Sequence, residues 1–168
     1  MKKIIIIFSI SSILFSLIAQ AKENWYSINY GLGNNKHQRS LTEVKLMTLQ
    51  LSNNLIKETI KQTFEFGYYA DNTIVSRNNA FLDYMLGIEV KSNPIFISGN
   101  SGIGFLARTD PLLSTSFQFI HELTVGMYEY NENNKSKIGL SYRHISNAGI
   151  KLPNFGRDFI ALKLSFSL

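Results

Sequence analysis

The chain has 168 residues, with 17 lysines and arginines against 12 aspartates and glutamates, for a net charge of +5. That excess is small and no basic cluster accompanies it, which argues against a nucleic-acid partner and is compatible with an anionic membrane surface. Cysteine is absent and the three histidines, His37, His121 and His144, are scattered, so there is no disulfide framework, no thiolate site and no recognisable metal-ligand spacing.

Lys2 and Lys3 precede an apolar run from Ile4 to Ile18, broken only by serines, that ends in Ala19-Gln20-Ala21. A charged start, an apolar middle and a small-x-small end make an export signal. The run is shorter than the roughly 20 residues a helical membrane span needs. The expected division is a signal peptide over 1–21 and one mature domain over 22–168, exported across a bacterial inner membrane.

From residue 24 onward the hydrophobic pattern has a period of two, and no segment carries a sustained helical stripe. Eight strands separated by breaker residues are predicted. Strand one covers about 24–32, with Tyr26, Ile28, Tyr30 and Leu32 on one face. Strand two covers about 41–51, where Lys45, Met47, Leu49 and Leu51 oppose Val44, Leu46, Thr48 and Gln50. In strand three, about 57–68, Ile60, Phe64, Phe66 and Tyr68 oppose Lys61, Thr63, Glu65 and Gly67. In strand four, about 80–91, Leu82, Tyr84, Leu86, Ile88 and Val90 oppose Asp83, Met85, Gly87 and Glu89. Strand five, about 95–107, is rich in glycine and has the weakest pattern. Strand six covers about 115–130, and its apolar face includes His121, which is read as structural. Strands seven and eight cover about 136–146 and 157–168.

The second faces decide the class. They carry Lys61, Glu65, Asp83, Glu89, Glu122, Arg143 and Lys163, mixed in sign and interleaved with glycine. The apolar faces are continuous and aromatic-rich. This is the pattern of an inside-out barrel, with small and paired polar residues filling a narrow interior and apolar residues facing lipid. A bilayer admits only helices or closed barrels, and the mature chain has no helical span. Connections after strands one, three, five and seven are longer than those after two, four and six, as in bacterial barrels with long outer loops and short periplasmic turns. Strand eight runs to the last residue with Ile160, Leu162, Leu164, Phe166 and Leu168 on one face, and resembles the C-terminal signal of outer-membrane barrels. The expected fold is therefore all-β, an eight-stranded antiparallel transmembrane barrel in the bacterial outer membrane.

On strand seven, His144 and Ser146 continue the parity of Ile138, Leu140 and Tyr142, so both belong to the lipid-facing set. Asp158 falls on the same outer face at the start of strand eight. Opposite positions on adjacent strands bring Cβ atoms to about 4.5–5.5 Å, within hydrogen-bonding reach of their side chains. The pattern alone leaves two readings open. The three residues make a serine–histidine–acid site, or strand seven has left the bilayer and its polar end is wet.

The residues Arg143-His144-Ile145-Ser146-Asn147-Ala148-Gly149-Ile150, then Pro153-Asn154-Phe155-Gly156 and Asp158, closely resemble the lipid A 3-O-deacylase family of outer-membrane enzymes (PagL). The likeness is strongest over 142–166 and extends loosely to the whole chain. It implies an eight-stranded barrel whose lipid-facing wall carries a serine-esterase site that removes the ester-linked acyl chain at the 3-position of lipid A. Ser146 would be the nucleophile and His144 its general base, with Asp158 standing where the family carries a histidine-orienting acid. That acid is Glu in the family and is one methylene shorter here. Asn154 and the backbone N–H groups of Ala148 and Gly149 match the oxyanion-hole region. Arg143, Lys151 and Arg157 are candidates for attracting lipid A phosphates, the alternative being ordinary loop and interior charges. Tyr142 reads as an interfacial belt residue.

No cofactor is required. The expected partner is lipid A or lipopolysaccharide within outer-membrane lipid, with no nucleic acid, and a homodimer is left open. Two other functions compete: a non-catalytic small barrel acting through its loops, and a phospholipase-type esterase using the same site on another lipid.

Overall fold

A computed structural model describes residues 24–35, 44–56, 59–71, 78–130 and 135–167. The predicted export signal, 1–21, lies outside the described residues. Eight strands form in chain order: β1 (Asn24–Asn35), β2 (Val44–Ile56), β3 (Ile60–Asp71), β4 (Asn79–Ser92), β5 (Ile95–Leu106), β6 (Phe117–Tyr130), β7 (Lys135–Ser146) and β8 (Arg157–Ser167). Each is antiparallel to its neighbours, and β8 pairs back with β1 to close the barrel. Closure leaves no strand edge unpaired, which is what a sheet in lipid requires.

Parity follows the expected inside-out pattern. Outward positions such as Ile28, Leu49, Phe66, Leu82, Val125 and Leu140 are exposed large hydrophobics. Inward positions such as Asn29, Thr48, Glu65, Asp83, Thr124 and Ser141 are buried and polar. Inward glycines leave room for their bulky neighbours: a Cβ at Gly67 would stand 2.0 Å from the Phe81 ring, and one at Gly104 would stand 2.0 Å from Asp83 Oδ1.

The largest shift from the sequence reading is at the β2–β3 hairpin. β2 continues to Ile56 through Asn53-Asn54, a pair that reads as a breaker, and β3 correspondingly starts at Ile60. Ser52 Oγ lies 2.9 Å from Thr63 Oγ1 inside the barrel and Asn53 pairs with Gln62. A register shift between Asn54 and Ile56 absorbs the irregularity.

The interior is layered. Near the end with the short connections (57–59, 93–94 and 131–134), Glu89 accepts from Lys61 at 2.5 Å and Lys137 at 2.6 Å. At mid-height the Arg143 guanidinium forks onto Glu65, with Nη2 at 2.6 Å from Oε2, and also reaches Glu122 at 2.7 Å. Gln50 donates to Glu65 as well, and Lys163 donates to Glu122 at 2.9 Å. Toward the end with the long connections the inward residues become apolar. Val44, Leu46, Phe81, Met85, Ile120, Ile145 and Phe159 form a plug with Tyr69, Leu106 and Leu113. The barrel is thus filled rather than open.

Removing Arg143 leaves Glu65 and Asp83 without this cation and Glu122 with Lys163 alone. Arg143→Ala should destabilise the barrel by about 3–5 kcal/mol, the usual cost of breaking a buried ion pair from one side. Urea unfolding of the protein in detergent micelles checks this. A midpoint equal to that of the wild type would show that the cluster does not hold the wall together.

Candidate active site

β7 and β8 pair with His144 directly opposite Asp158, and Arg143 and Ile145 on either side facing Phe159 and Arg157. The parity that sends Arg143, Ile145, Arg157 and Phe159 into the barrel sends His144, Ser146 and Asp158 onto its outer wall. His144 Nδ1 lies 2.7 Å from Asp158 Oδ1, with side chains 26% and 21% exposed, so the pair is partly shielded yet open from outside. An ionised carboxylate only accepts, so in this bond the hydrogen is on Nδ1. Direct opposition also answers the question raised by the shorter acid. The paired strands bring Asp158 to an ordinary charge-assisted distance with no extra methylene.

Tyr142, read from sequence as a belt residue, donates its hydroxyl to the same Asp158 Oδ1 at 2.7 Å. Tyr142 and His144, both on β7, thus share one carboxylate oxygen. The signal was present in the sequence, since Tyr142 shares the parity of His144, but its backbone pairs with Ile160 and only the side-chain bond shows that it reaches Asp158. Gly156 was likewise in the motif without a role. It has φ +67, and a Cβ there would lie 2.8 Å from His144 Cε1. A side chain at 156 would displace the imidazole.

Ser146 ends β7, two residues beyond His144 on the same face, and faces Phe119 of β6. The chain then turns sharply. Ala148 and Gly149 both have positive φ, +52 and +80. Asn147 organises the turn: its side-chain Nδ2 donates to the carbonyls of Leu113 at 2.5 Å and Lys151 at 2.6 Å, and its Oδ1 accepts from Gly149 N–H at 2.8 Å. Its backbone N–H donates to Asn154 Oδ1 at 3.1 Å. Phe155 N–H reaches the Leu112 carbonyl at 3.1 Å, so the 147–156 connection is stapled to the 107–116 connection at two points.

These bonds revise the expected oxyanion hole. Gly149 N–H is already spent on Asn147 and is not available. With its Oδ1 held by Asn147, Asn154 has its Nδ2 as the free donor end of the amide. Among the described residues neither Asn154 Nδ2 nor Ala148 N–H has a hydrogen-bond partner.

Two of the three cations expected near substrate are corrected. Arg143 is 1% exposed and Arg157 0%. Arg143 lies in the mid-barrel cluster, and Arg157 donates to Asp71 at 2.7 Å and Asp110 at 2.7 Å. Both point inward by strand parity and cannot meet a lipid phosphate; the interior-charge alternative holds for them. Lys151 is exposed on the 147–156 connection and stays accessible.

The family model for lipid A 3-O-deacylase (PagL) matches residues 27–167. Among solved structures, the crystal structure of the outer membrane enzyme PagL superposes with a TM-score of 0.64 at 21% identity, covering 84% of this chain and 97% of that one. The N-terminal β-barrel domain of Pseudomonas aeruginosa OprF matches with a TM-score of 0.53 at 11% identity, covering 89% of this chain and 100% of that domain. No curated protein matches. The two structural likenesses speak to the barrel fold, while the family model spans nearly all of the described barrel. The chain is an outer-membrane β-barrel and belongs to the lipid A 3-O-deacylase (PagL) family.

Proposed function

We propose that this protein is a lipid A 3-O-deacylase that works as a serine esterase from the outer face of its barrel wall. The observation that carries the reading is the His144–Asp158 pair at 2.7 Å, on the lipid-facing side, with Ser146 following on the same face. Residues 1–21 are read as the export signal that delivers it.

In this reading Ser146 Oγ attacks the carbonyl carbon of the acyl chain esterified at the sugar 3-oxygen, and His144 Nε2 takes the hydroxyl proton. The imidazolium that forms is stabilised by Asp158, itself steadied by Tyr142. The carbonyl oxygen becomes an oxyanion held by Asn154 Nδ2 and Ala148 N–H. As the tetrahedral species collapses, the sugar oxygen leaves and takes the proton from His144. Water, activated by the same histidine, then releases the fatty acid from the acyl-serine. The substrate is already in the leaflet and reaches the wall by lateral diffusion. Exposed Lys151 is suited to a lipid phosphate at the rim.

Lipid A mass spectra from cells expressing the wild type, Ser146→Ala and His144→Asn test the reading. Loss of one ester-linked chain is expected with the wild type alone. Identical spectra from all three would sink it, and loss of a chain from phospholipids instead would move the site to another lipid. Asn154→Ala should slow turnover by about 10²–10³-fold, the usual effect of removing an oxyanion donor; a rate within twofold of wild type removes Asn154 from that role.

The pair's geometry also sets the acid's length. Because Asp158 already sits at 2.7 Å from directly across the ladder, a glutamate must fold back to fit. Asp158→Glu should therefore lower the rate by about 10–100-fold, as for a misplacement of about 1 Å. Gly156→Ala should act similarly by pushing His144 aside. Full activity of either variant in a micellar lipid A assay would show that the imidazole's position tolerates the shift.

A further inference from the structure

The 147–156 connection does more than carry the proposed oxyanion donors. Its two ends turn inward: Asn147 and Gly156 are buried, and Asn147 and Phe155 are bonded to Leu113 and Leu112 of the 107–116 connection. Residues 148–153 between them are all exposed. That stretch reads Ala148-Gly149-Ile150-Lys151-Leu152-Pro153, an apolar composition for a loop standing in water. Leu152 is 79% exposed and Ile150 63%. Among the described residues they are the only large hydrophobics exposed outside the strands, and Leu152 is more exposed than any on the lipid-facing wall. The 107–116 connection at the same end offers a contrast. Its exposed residues are Ala107, Arg108, Thr109 and Pro111, while Leu112 and Leu113 are buried.

Two exposed aliphatic side chains on a stapled loop are costly unless something apolar covers them. The placement of the loop says what that is. Its inward side is taken by the 107–116 connection, so residues 148–153 face away from the barrel axis. The loop leaves β7 at Ser146 and returns to β8 beside Asp158, both on the lipid-facing wall. No other part of the protein covers the tip at Gly149, where a Cβ would meet no atom within 4 Å. At the long-connection end of an outer-membrane barrel, the medium beside the wall is the headgroup region and upper acyl chains of the outer leaflet. Lys151, between the two aliphatics, suits that boundary. Its ammonium can stay with anionic phosphates while its stem lies in the apolar layer.

We propose that Ile150 and Leu152 are an interfacial anchor. They insert into the outer leaflet on either side of Lys151 and hold the 147–156 connection against lipid, so that Ala148 and Asn154 lie over an ester still embedded in the membrane. The partner is the anionic lipid surface itself. Anchoring follows from the barrel and its loop; its effect on turnover rests on the esterase reading of Ser146 and His144.

The chain has no cysteine, so a nitroxide label can be placed at one position at a time. Leu152→Cys and Thr109→Cys are labelled in the mature protein and reconstituted in vesicles of phosphatidylethanolamine and phosphatidylglycerol containing lipid A. Relaxation by oxygen, which concentrates in lipid, and by a water-soluble nickel chelate reports depth. The label at 152 should favour oxygen and the label at 109 nickel. A label at 152 as accessible to nickel as the one at 109 overturns the anchor, whatever the activity of the protein. A second arm compares lipid A in those vesicles with a short-chain nitrophenyl ester in water. In the Ile150→Ser/Leu152→Ser double variant, deacylation of lipid A should fall by about 10-fold or more while the soluble ester stays within about twofold of wild type, the order expected when two aliphatic side chains no longer enter lipid. Leu152→Phe, which keeps an apolar side chain, should retain the lipid A rate. An unchanged lipid A rate in the double variant overturns the anchor's part in turnover. An equal fall on both substrates overturns it too, because the two residues would then act through the loop's own fold. Wild-type protein that hydrolyses neither substrate overturns the esterase reading, and the label's depth still decides the anchor.

Discussion

The Arg143 guanidinium, clamped between Glu65 of β3 and Glu122 of β6, is the interaction on which the working face depends. It ties β7 to strands on the far side and the near side of the barrel at once. In an interior of low dielectric such a pair has few alternatives, since any shift of the strand leaves charges unpaired. A one-residue slip would also reverse every side chain. The residue after Arg143 is His144, so the position and direction of the imidazole outside are set by a salt bridge inside.

The same device recurs on the facing strand. Arg157, bonded to Asp71 and Asp110, immediately precedes Asp158. Each member of the histidine–acid pair is thus the outward neighbour of a buried arginine, and the two arginines anchor to different partners. Asp110 extends the anchorage into the 107–116 connection, where its Oδ1 accepts from Leu112 N–H at 2.8 Å and its Oδ2 from Tyr69 at 2.6 Å. That connection in turn holds the 147–156 turn through Leu112 and Leu113. The donors proposed for the oxyanion and the acid proposed for the histidine therefore hang on one network, and loop and wall are held in a common frame.

The alternation carried most of this. A period of two with charges on one face and aromatics on the other is sufficient for strand number, barrel class and the outward direction of residues 144, 146 and 158. It was less informative wherever contact across strands decides. The inward parity of Arg143 and Arg157 was readable, yet a basic residue beside a lipid site suggests phosphate until its buried partners, distant in sequence, are known. Gly149 N–H looked available because the claim of Asn147 on it depends on the turn's positive-φ geometry. His121 read as structural because nothing along β6 announces that Ser101 and His144 flank it. The apolar plug behind the site was also hidden, because inward Ile120, Ile145 and Phe159 break the polar pattern of the inner face only near one end.

A polar row in a lipid-facing wall, Ser101, His121, His144 and Asp158 on neighbouring strands, invites the question of how the barrel tolerates it. Several of its members pair laterally: Ser101 with His121, His144 with Asp158, and Tyr142 with the same carboxylate. These three bonds stay within the wall, the arrangement that costs least where water is scarce. The row lies toward the end with the long connections, where the penalty for polar groups falls toward zero. Behind it the inner face is filled by buried side chains, Ile120, Ile145 and Phe159 together with Arg143, Arg157 and Glu122. In the proposed reading substrate arrives along the membrane surface, product leaves the same way, and the hydrolytic water enters from the headgroup side. A wall site of this kind needs no cavity, because the leaflet itself supplies the surroundings that a cleft would supply in a water-soluble esterase.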